Sequence, residues 1–279
     1  MSSSPTRPPK QQAPALTCDC HFHIFGPYDK YPLSAGRTYN PPPALVPDYL
    51  AMAEQLGIQR VVVVQASVSG TDNAVTLDAV RQFGQHRARA VAVIDDTFTA
   101  RTLQQLHTDG VRGVRFNLAS GNGTPVEQLE TVARRIAPLG WHIQVYIDGD
   151  TLAEMAPTLA KLPVEIVIDH CGGVKSALGL EHPQFRALLG LLDSGNAWIK
   201  VCSYRVSSTG QPWADPAPNV QAFVARYPER CVWGTDWPHP QMNPLPEAGL
   251  LLDQLFEWVP DATTRHRILV DNPAKLYGF

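Results

Sequence analysis

Paired cysteines are absent from this sequence. Its 279 residues include five cysteines, none of them in a Cys-x-x-Cys motif: Cys18, Cys20, Cys171, Cys202 and Cys231. An odd number of scattered thiols argues against a disulfide framework and against a structural zinc site, because both need closely matched pairs. We therefore expect free thiols, a reducing compartment and a cytoplasmic protein.

Runs of basic residues and long apolar stretches are also missing. The net charge is −3 and charged residues make up 18% of the chain, with no cluster of lysine and arginine. Phosphate binding requires such a cluster, so nucleic acid is not an expected partner. The longest apolar stretches have the length of strands, so no membrane span is expected. The remaining expectation is a small-molecule partner, and nothing in the pattern specifies an oligomeric state.

The first sixteen residues, "MSSSPTRPPKQQAPAL", are rich in proline, serine and glutamine. They lack the apolar core of a signal peptide, which predicts a flexible N-terminal tail over residues 1–16. No linker or break in composition follows, so we expect one domain over residues 17–279.

Eight short β-branched stretches alternate with helix-like segments in that domain. The predicted strands are 18–25, 60–67, 88–94, 113–118, 141–147, 164–170, 197–203 and 230–236. Several are apolar throughout, as parallel strands covered on both faces must be. Intervening segments such as "PDYLAMAEQLG" have helix start and stop signals. The pattern predicts an α/β fold, a single (β/α)8 TIM barrel, with its chemistry at the C-terminal ends of the strands.

The first predicted strand, "CDCHFHIF", carries two histidines at one-residue spacing. Side chains alternate along a strand, which predicts Asp19, His21 and His23 on one face, pointing into the barrel mouth. A single histidine on such a face is more often a satisfied core residue. Two histidines in register with an aspartate favour a functional site.

Two other strands end in polar residues. Asp236 ends strand 8 in "WGTDWPHP", where it faces the same mouth or caps the following turn. Strand 6 ends in "IVIDHCGG". Since neighbouring residues face opposite ways, only one of Asp169 and His170 is expected to point inward, and we expect it to be His170.

Together these motifs resemble the amidohydrolase superfamily. The segments "HFHIFGP", "VVVVQASVSGTDNAVTLDAV", "GVRGVRFN", "VIDHCGG", "WGTDWPHP" and "DNPAKLYGF" are similar to the branch of 2-pyrone-4,6-dicarboxylate lactonase and related lactonases, over nearly all of the chain after the tail. The resemblance implies lactone hydrolysis in the breakdown of aromatic or sugar acids, without a divalent metal.

The residues themselves also favour a site with no required metal. His21, His23 and Asp236 would hold a bound ion. Strand 4, however, carries Arg115 where a bridging ligand would stand, and its charge opposes a cation. Tyr146 on strand 5 is a poor ligand because its hydroxyl is neutral at ordinary pH. No cofactor is therefore predicted.

Lactone hydrolysis needs an activated water and donors for the carbonyl oxygen. Asp236 is the expected general base, because it is a carboxylate in a partly enclosed cavity. His21, His23 and His170 are the expected donors to the developing oxyanion. The resemblance implies the same division of roles.

Recognition of an anionic substrate is assigned to arginines. Arg115 ends strand 4 and Arg205 follows strand 7, and each side chain can bind a carboxylate through two donors. His239 either touches the site or braces its loop. The resemblance implies polar contacts from three further residues: Ser67, Tyr146 and Tyr39.

Two departures from the pyrone lactonase pattern bear on the substrate. The loop "ASGNGTP" carries no cation, and "CGGVK" has Gly173 where the pattern has arginine, with Lys175 two residues later. We therefore expect a lactone with fewer negative charges, or one with hydroxyl groups for the Asn122 region. Four alternatives stay open: a sugar-acid lactonase, a lactone isomerase, a metal-dependent decarboxylase and a non-catalytic sensor of an organic acid.

Overall fold

The computed structural model describes residues 7–202 and 204–279, so the start of the predicted tail and Ser203 of the predicted seventh strand lie outside the described residues. Eight parallel strands pair in chain order. Their bounds are β1 Cys18–Phe22, β2 Arg60–Val64, β3 Ala88–Ala92, β4 Val111–Asn117, β5 His142–Tyr146, β6 Ile166–Ile168, β7 Ala197–Lys200 and β8 Cys231–Val232.

Backbone hydrogen bonds between the first and last strand regions close the sheet. The Cys20 amide donates to the Trp233 carbonyl at 2.9 Å, and the His23 amide donates to the Trp237 carbonyl at 2.8 Å. Phe22 also forms a parallel bridge with Trp237. The predicted (β/α)8 barrel is therefore confirmed, although β8 is much shorter than predicted because the chain leaves the sheet soon after Val232.

Helices follow the strands and cover the outside of the barrel. Their bounds are α1 Val46–Leu56, α2 Ala74–Phe83, α3 Ala100–Thr108, α4 Leu129–Ile136, α5 Gly149–Leu159, α6 Pro183–Asp193, α7 Ala217–Arg226, α8 Ala248–Trp258, α9 Ala262–His266 and α10 Asn272–Tyr277. Gly57 ends α1 in the left-handed region, with φ of 74°, as a C-cap glycine does. Of the helices in the described ranges, none has the length and apolarity needed to cross a membrane.

Alternation along the strands separates two apolar regions. Val61 and Val63 pack with the helices, whereas Val62 and Val64 belong to a smaller cluster inside the barrel. Tyr277 joins that inner cluster, and Arg89 donates to its carbonyl at 3.2 Å. The C-terminal residues thus fill one end of the barrel interior, and the opposite end stays available for a site.

A bulge in β1 corrects one prediction about its faces. The register of β1 against β2 shifts between Asp19 and Phe22. Asp19 is buried outside the barrel, where its carboxylate accepts from the Tyr49 hydroxyl of α1 at 3.0 Å and from the Thr235 hydroxyl at 2.6 Å. Asp19 therefore does not share a face with His21 and His23, because the extra residue breaks the alternation on which the prediction relied.

The described part of the predicted tail is attached to the barrel. Arg7 forms ion pairs with Glu247 at 3.1 Å and with Asp253 of α8 at 2.7 Å. The Lys10 amide also donates to Asp253 at 2.6 Å. Arg7 and Lys10 therefore contact α8, and the flexibility of residues 1–16 stays a prediction.

Candidate active site

A small polar pocket of about 330 Å³ opens at the C-terminal end of the barrel strands. It is lined by His23, Tyr39, Ser67, Arg115, Ser120, Tyr146, His170, Arg205, Asp236, Pro240 and Gln241. The topology thus brings together residues that are more than 200 positions apart in the chain.

His21 of β1 and His23, which follows that strand directly, meet Asp236 at the base of this pocket. The His23 Nδ1 atom lies 2.8 Å from the Val64 carbonyl, which fixes its ring. The Nε2 atoms of His21 and His23 are 3.3 Å apart. Oδ1 of Asp236 lies 3.6 Å from the first and 3.5 Å from the second. We call these three atoms the inner triad.

Asp236 is held from its other side. Its Oδ2 atom accepts a hydrogen bond from the Tyr204 hydroxyl at 2.5 Å and another from Arg205 Nε. Burial alone raises the pKa of Asp236, but the charge of Arg205, and after it that of His170, holds that pKa well below its usual range. The side chain is therefore a carboxylate at neutral pH.

One oxygen of that carboxylate remains unused. Among residues 7–202 and 204–279, Oδ1 of Asp236 has no hydrogen-bond partner although it is buried. An unpaired buried acceptor is costly, so this oxygen is available to a hydrogen-bond donor that enters the pocket. Asp236 thus presents a fixed acceptor to the pocket.

His170 reaches the pocket because the backbone turns after β6. Its φ is 48°, in the left-handed region. Its ring lies 4.7 Å from that of His21 and stands perpendicular to that of Tyr146 at 5.4 Å. Burial is the main cause that lowers the pKa of His170 to about 4, so the ring is neutral at pH 7. Nδ1 of His170 is another buried atom with no partner among the described residues.

The expectation that Asp169 points away from the barrel is wrong. Inward Val167 is followed two positions later by Asp169, which is fully buried in the barrel interior. Its carboxylate contacts His21 Nδ1 at 3.2 Å and Arg115 Nη2 at 3.1 Å. Strand alternation places Asp169 inward, and the left-handed turn then brings His170 inward as well.

Lys200 is a buried residue of the site that the sequence analysis missed. It is fully buried at the end of β7, with Nζ 2.7 Å from Gln144 Oε1 and 3.4 Å from Asp169 Oδ1. Burial lowers the pKa of Lys200, while the Asp169 carboxylate opposes that change. A lysine inside the apolar stretch "AWIKVCS" was the available signal, because lysine is almost never fully buried without a partner.

The predicted arginines lie at the pocket but are already engaged. Arg115 donates through Nε to Asp169 at 3.2 Å and through Nη1 to the Gln65 carbonyl at 3.3 Å. Its guanidinium also lies 5.2 Å from the Tyr146 ring. Arg205 donates through Nη2 to the Pro240 carbonyl at 3.1 Å. Both guanidinium groups therefore give the pocket a positive electrostatic potential, and their hydrogen bonds also fix the residues around it.

The structure also locates three other predicted polar residues, Tyr39, Ser67 and His239. Tyr39 and Ser67 line the pocket, where burial raises the pKa of Tyr39 and a hydrogen bond with Ser67 partly opposes this. His239 does not line the pocket. Its Nδ1 lies 3.3 Å from the hydroxyl of Tyr204, which itself donates to Asp236. His239 thus braces the residues behind the base.

In the loop after β4, the polar group that faces the pocket is the Ser120 hydroxyl and not the side chain of Asn122. Asn122 donates its amide to the Ser67 carbonyl, so that group is engaged within the protein. Ser120 lines the pocket instead, and its buried hydroxyl has no partner in the described part of the chain. Lys175 lies in a neighbouring cavity beyond Arg205, where its Nζ donates to the Arg205 carbonyl at 2.9 Å.

The inner triad also has the spacing of a metal site. Tetrahedral zinc with bonds of ~2.0–2.1 Å places its ligand atoms about 3.3 Å apart. The triad separations of 3.3, 3.5 and 3.6 Å fit this arrangement. His21, His23 and Asp236 would hold such an ion, which when bound would polarise a carbonyl or acidify a water. The other Asp236 oxygen is shared with Arg205, a cation that opposes a second positive charge.

Comparison with known proteins gives a consistent set of relatives. The amidohydrolase family matches residues 18–279. The chain is 37% identical to a 2-pyrone-4,6-dicarboxylate hydrolase of Comamonas testosteroni, over 96% of this chain and 92% of the relative. It is 38% identical to a 4-sulfomuconolactone hydrolase of Rhizobium radiobacter, over 93% and 89%. It is 34% identical to a D-galactarolactone isomerase of Agrobacterium fabrum, over 96% and 93%.

Solved structures agree with these sequence relatives. A crystal structure of an Agrobacterium tumefaciens protein in its apo form has a TM-score of 0.89 and 33% identity, covering 97% of this chain and 98% of that one. A probable 2-pyrone-4,6-dicarboxylic acid hydrolase from Acinetobacter baumannii, with citric acid bound, has a TM-score of 0.85 and 28% identity, covering 95% and 100%.

Proposed function

Because this chain belongs to the amidohydrolase family, we propose that it is a lactone hydrolase that opens a carboxylate-bearing lactone with Asp236 as general base and without a required metal ion. Two relatives that cover most of the chain are named as hydrolases of anionic lactones. The observation that carries the proposal is the buried, unpaired Oδ1 atom of Asp236 at the base of the pocket.

The proposed reaction begins with a water between Asp236 and the lactone carbonyl. Asp236 Oδ1 takes one proton from this water as its oxygen bonds to the carbonyl carbon. The ring C–O bond of the tetrahedral intermediate then breaks, and the leaving alkoxide takes the proton from Asp236. The products are the ring-opened hydroxy acid and the original carboxylate.

His170 is the proposed donor to the oxyanion. Its neutral ring carries one N–H and lies at the pocket wall, beside Tyr146 and near Asp236. A donor fixed before the reaction stabilises developing charge without reorganising, and removal of one such donor typically costs ~100- to 1000-fold in rate. His23 lines the pocket, whereas His21 is fully buried with its Nε2 atom 3.6 Å from Asp236 Oδ1.

The pocket favours a substrate with a single anionic group and further polar groups. Arg115 and Arg205 supply positive charge, but both also make hydrogen bonds within the protein. The Ser120 hydroxyl lines the pocket and is a buried polar group with no partner in the described segments. A hydroxylated lactone acid would satisfy such a group better than a planar dicarboxylate.

Isomerisation between lactones is the second candidate, because one relative is named as a D-galactarolactone isomerase. The same base would then remove a proton from a substrate hydroxyl instead of water, and the acyl group would move between two oxygens. The pocket residues used would be the same. Product analysis separates the two, since hydrolysis yields an acid and isomerisation yields a second lactone.

The test is a screen of lactones with the full chain, following proton release and product identity. The panel includes pyrone dicarboxylates, muconolactones and aldono- and aldarolactones, each with the enzyme as purified and after treatment with a chelator. Hydrolysis that survives removal of bound metal supports the proposal. Loss of turnover that returns with added zinc refutes metal independence, and a rearranged lactone as sole product refutes hydrolysis.

A further inference from the structure

Lys200 lies directly behind the inner triad, and the proposed reaction gives it no role. Its ammonium sits 3.3 Å from His21 Nδ1, on the ring edge opposite the triad. The same ammonium lies 2.7 Å from Gln144 Oε1 and 3.4 Å from Asp169 Oδ1. Gln144 Oε1 and Asp169 Oδ1 accept from this ammonium, and His21 Nδ1 is a third acceptor when it carries no proton.

The proton on His21 has two alternative positions, and the partners differ between them. If Nδ1 carries it, that N–H donates to Asp169 Oδ1 at 3.2 Å. Nε2 of His21 is then an acceptor. His23 donates through Nδ1 to the Val64 carbonyl, so its own Nε2 is an acceptor too. Every atom of the inner triad would then be an acceptor, an arrangement that is repulsive unless a cation lies between them.

If Nε2 carries the proton, the inner triad gains a donor. His21 Nδ1 and Asp169 Oδ1 are then two acceptors 3.2 Å apart, and the Lys200 ammonium lies within 3.4 Å of both and bridges them. His21 Nε2 donates to His23 Nε2 across 3.3 Å, and His21 Nδ1 accepts from Lys200. Oδ2 of Asp169 keeps its donors, which are Gln144 Nε2 at 3.0 Å and Arg115 Nε at 3.2 Å, and Oδ1 retains the Lys200 ammonium at 3.4 Å. Asp236 Oδ1 is then the remaining acceptor of the triad, as a general base requires.

From this hydrogen-bond pattern we propose that Lys200 is a positioning residue that fixes the His21 proton on Nε2 in the metal-free enzyme. The inference rests on the proposed function, because a metal ion in the triad would demand the opposite tautomer. A metal ion would relieve the repulsion among the triad acceptors by binding to His21 Nε2. Lys200 relieves the same repulsion from the other ring nitrogen, Nδ1, because it keeps the proton on Nε2. It does so by hydrogen bonding and leaves the pocket free for substrate.

The test reads the tautomer directly by long-range ¹H–¹⁵N NMR of the metal-free, ¹⁵N-labelled full chain. The His21 signals are assigned by their loss in His21→Gln. We expect the wild-type protein to carry the His21 proton on Nε2, and Lys200→Met to move it to Nδ1. Lys161→Met, at an exposed position, is the matched control and leaves it on Nε2. A wild-type His21 protonated on Nδ1 overturns the inference, whether or not the variant folds.

Zinc affinity gives a second readout that does not depend on turnover. Lys200→Met frees the His21 Nε2 lone pair, so we expect zinc to bind more tightly by roughly 10- to 100-fold, the usual scale for residues that orient metal ligands. Competition with a chromophoric chelator measures this, and unchanged affinity in a folded variant contradicts the inference. The tautomer can be wrong while chelator-resistant hydrolysis persists, so the two proposals fail separately.

Discussion

The substitution Asp236→Asn probes the proposed base with little change in shape. In the native site, two donors hold Oδ2 of Asp236, namely the Tyr204 hydroxyl and Arg205 Nε. Arg205 cannot accept a hydrogen bond, so the amide oxygen of asparagine must face these donors. The amide nitrogen then takes the position of Oδ1 and points at the inner triad. The pocket loses its acceptor and gains a donor.

The expected loss follows from the role of that acceptor. General base catalysis by a positioned side chain contributes ~100- to 10,000-fold, which corresponds to about 3–5 kcal/mol of barrier. The lactone still meets His170, Arg205 and Tyr146 at the pocket wall. We therefore expect kcat to fall by that factor, with binding of the substrate retained.

The assay combines steady-state kinetics with calorimetric titration of a slowly hydrolysed lactone. Asp253→Asn is the control, because Asp253 is also a buried, ion-paired aspartate but pairs with Arg7 away from the pocket. It should retain wild-type kcat. If Asp236→Asn keeps more than about a tenth of kcat while it remains folded, the loss is too small for a general base and the assignment is refuted.

Three further predictions concern the pocket wall and the buried histidines. His170→Asn should lower kcat by roughly 100- to 1000-fold with a smaller effect on KM, measured by steady-state kinetics; an unchanged kcat would remove His170 from the oxyanion site. Arg205→Lys keeps the positive charge but loses the planar guanidinium with its fixed pair of donors. In steady-state kinetics, kcat/KM for an anionic lactone should therefore fall by roughly 10- to 100-fold, and kcat/KM for a neutral lactone should fall by less. Burial chiefly lowers the pKa of His142 and of His239 to about 3 and that of His170 to about 4, below the unfolded value of about 6.5. The unfolded state binds more protons between these values, so the melting temperature should rise with pH from about 4 to 6.5. Asp19, with a pKa raised by burial to about 6, opposes part of this rise. A melting temperature that falls over this range would contradict the buried, neutral state of the histidines.

Much of the fold was predictable because its signals are local. The glycine at the end of α1, the apolar strands and the helix lengths each depend on near neighbours in the chain. Asp236 also lies at the mouth of the barrel, as expected of a residue in the loop that follows the last strand. The pairing of His23 with Asp236 follows once the barrel closes.

Two errors came from treating strands as unbroken. Alternation predicts Asp19 beside His21, but a one-residue bulge turns Asp19 outward. Alternation also forces a choice between Asp169 and His170, but a left-handed backbone at His170 brings both inward. Bulges and turns of this kind are set by closure of the sheet, which depends on hydrogen bonds between distant segments.

The barrel, and the mouth at which its polar residues gather, could be predicted from the order of the amino acids, because alternation and strand order repeat at short range. Which of the polar atoms are paired depends on contacts between distant segments of the chain. Lys200 meets His21 across 179 positions, and Arg205 meets Asp236 across 31. Such contacts form only when the sheet closes, so the unpaired oxygen of Asp236, on which the proposed chemistry depends, is a property of the folded barrel.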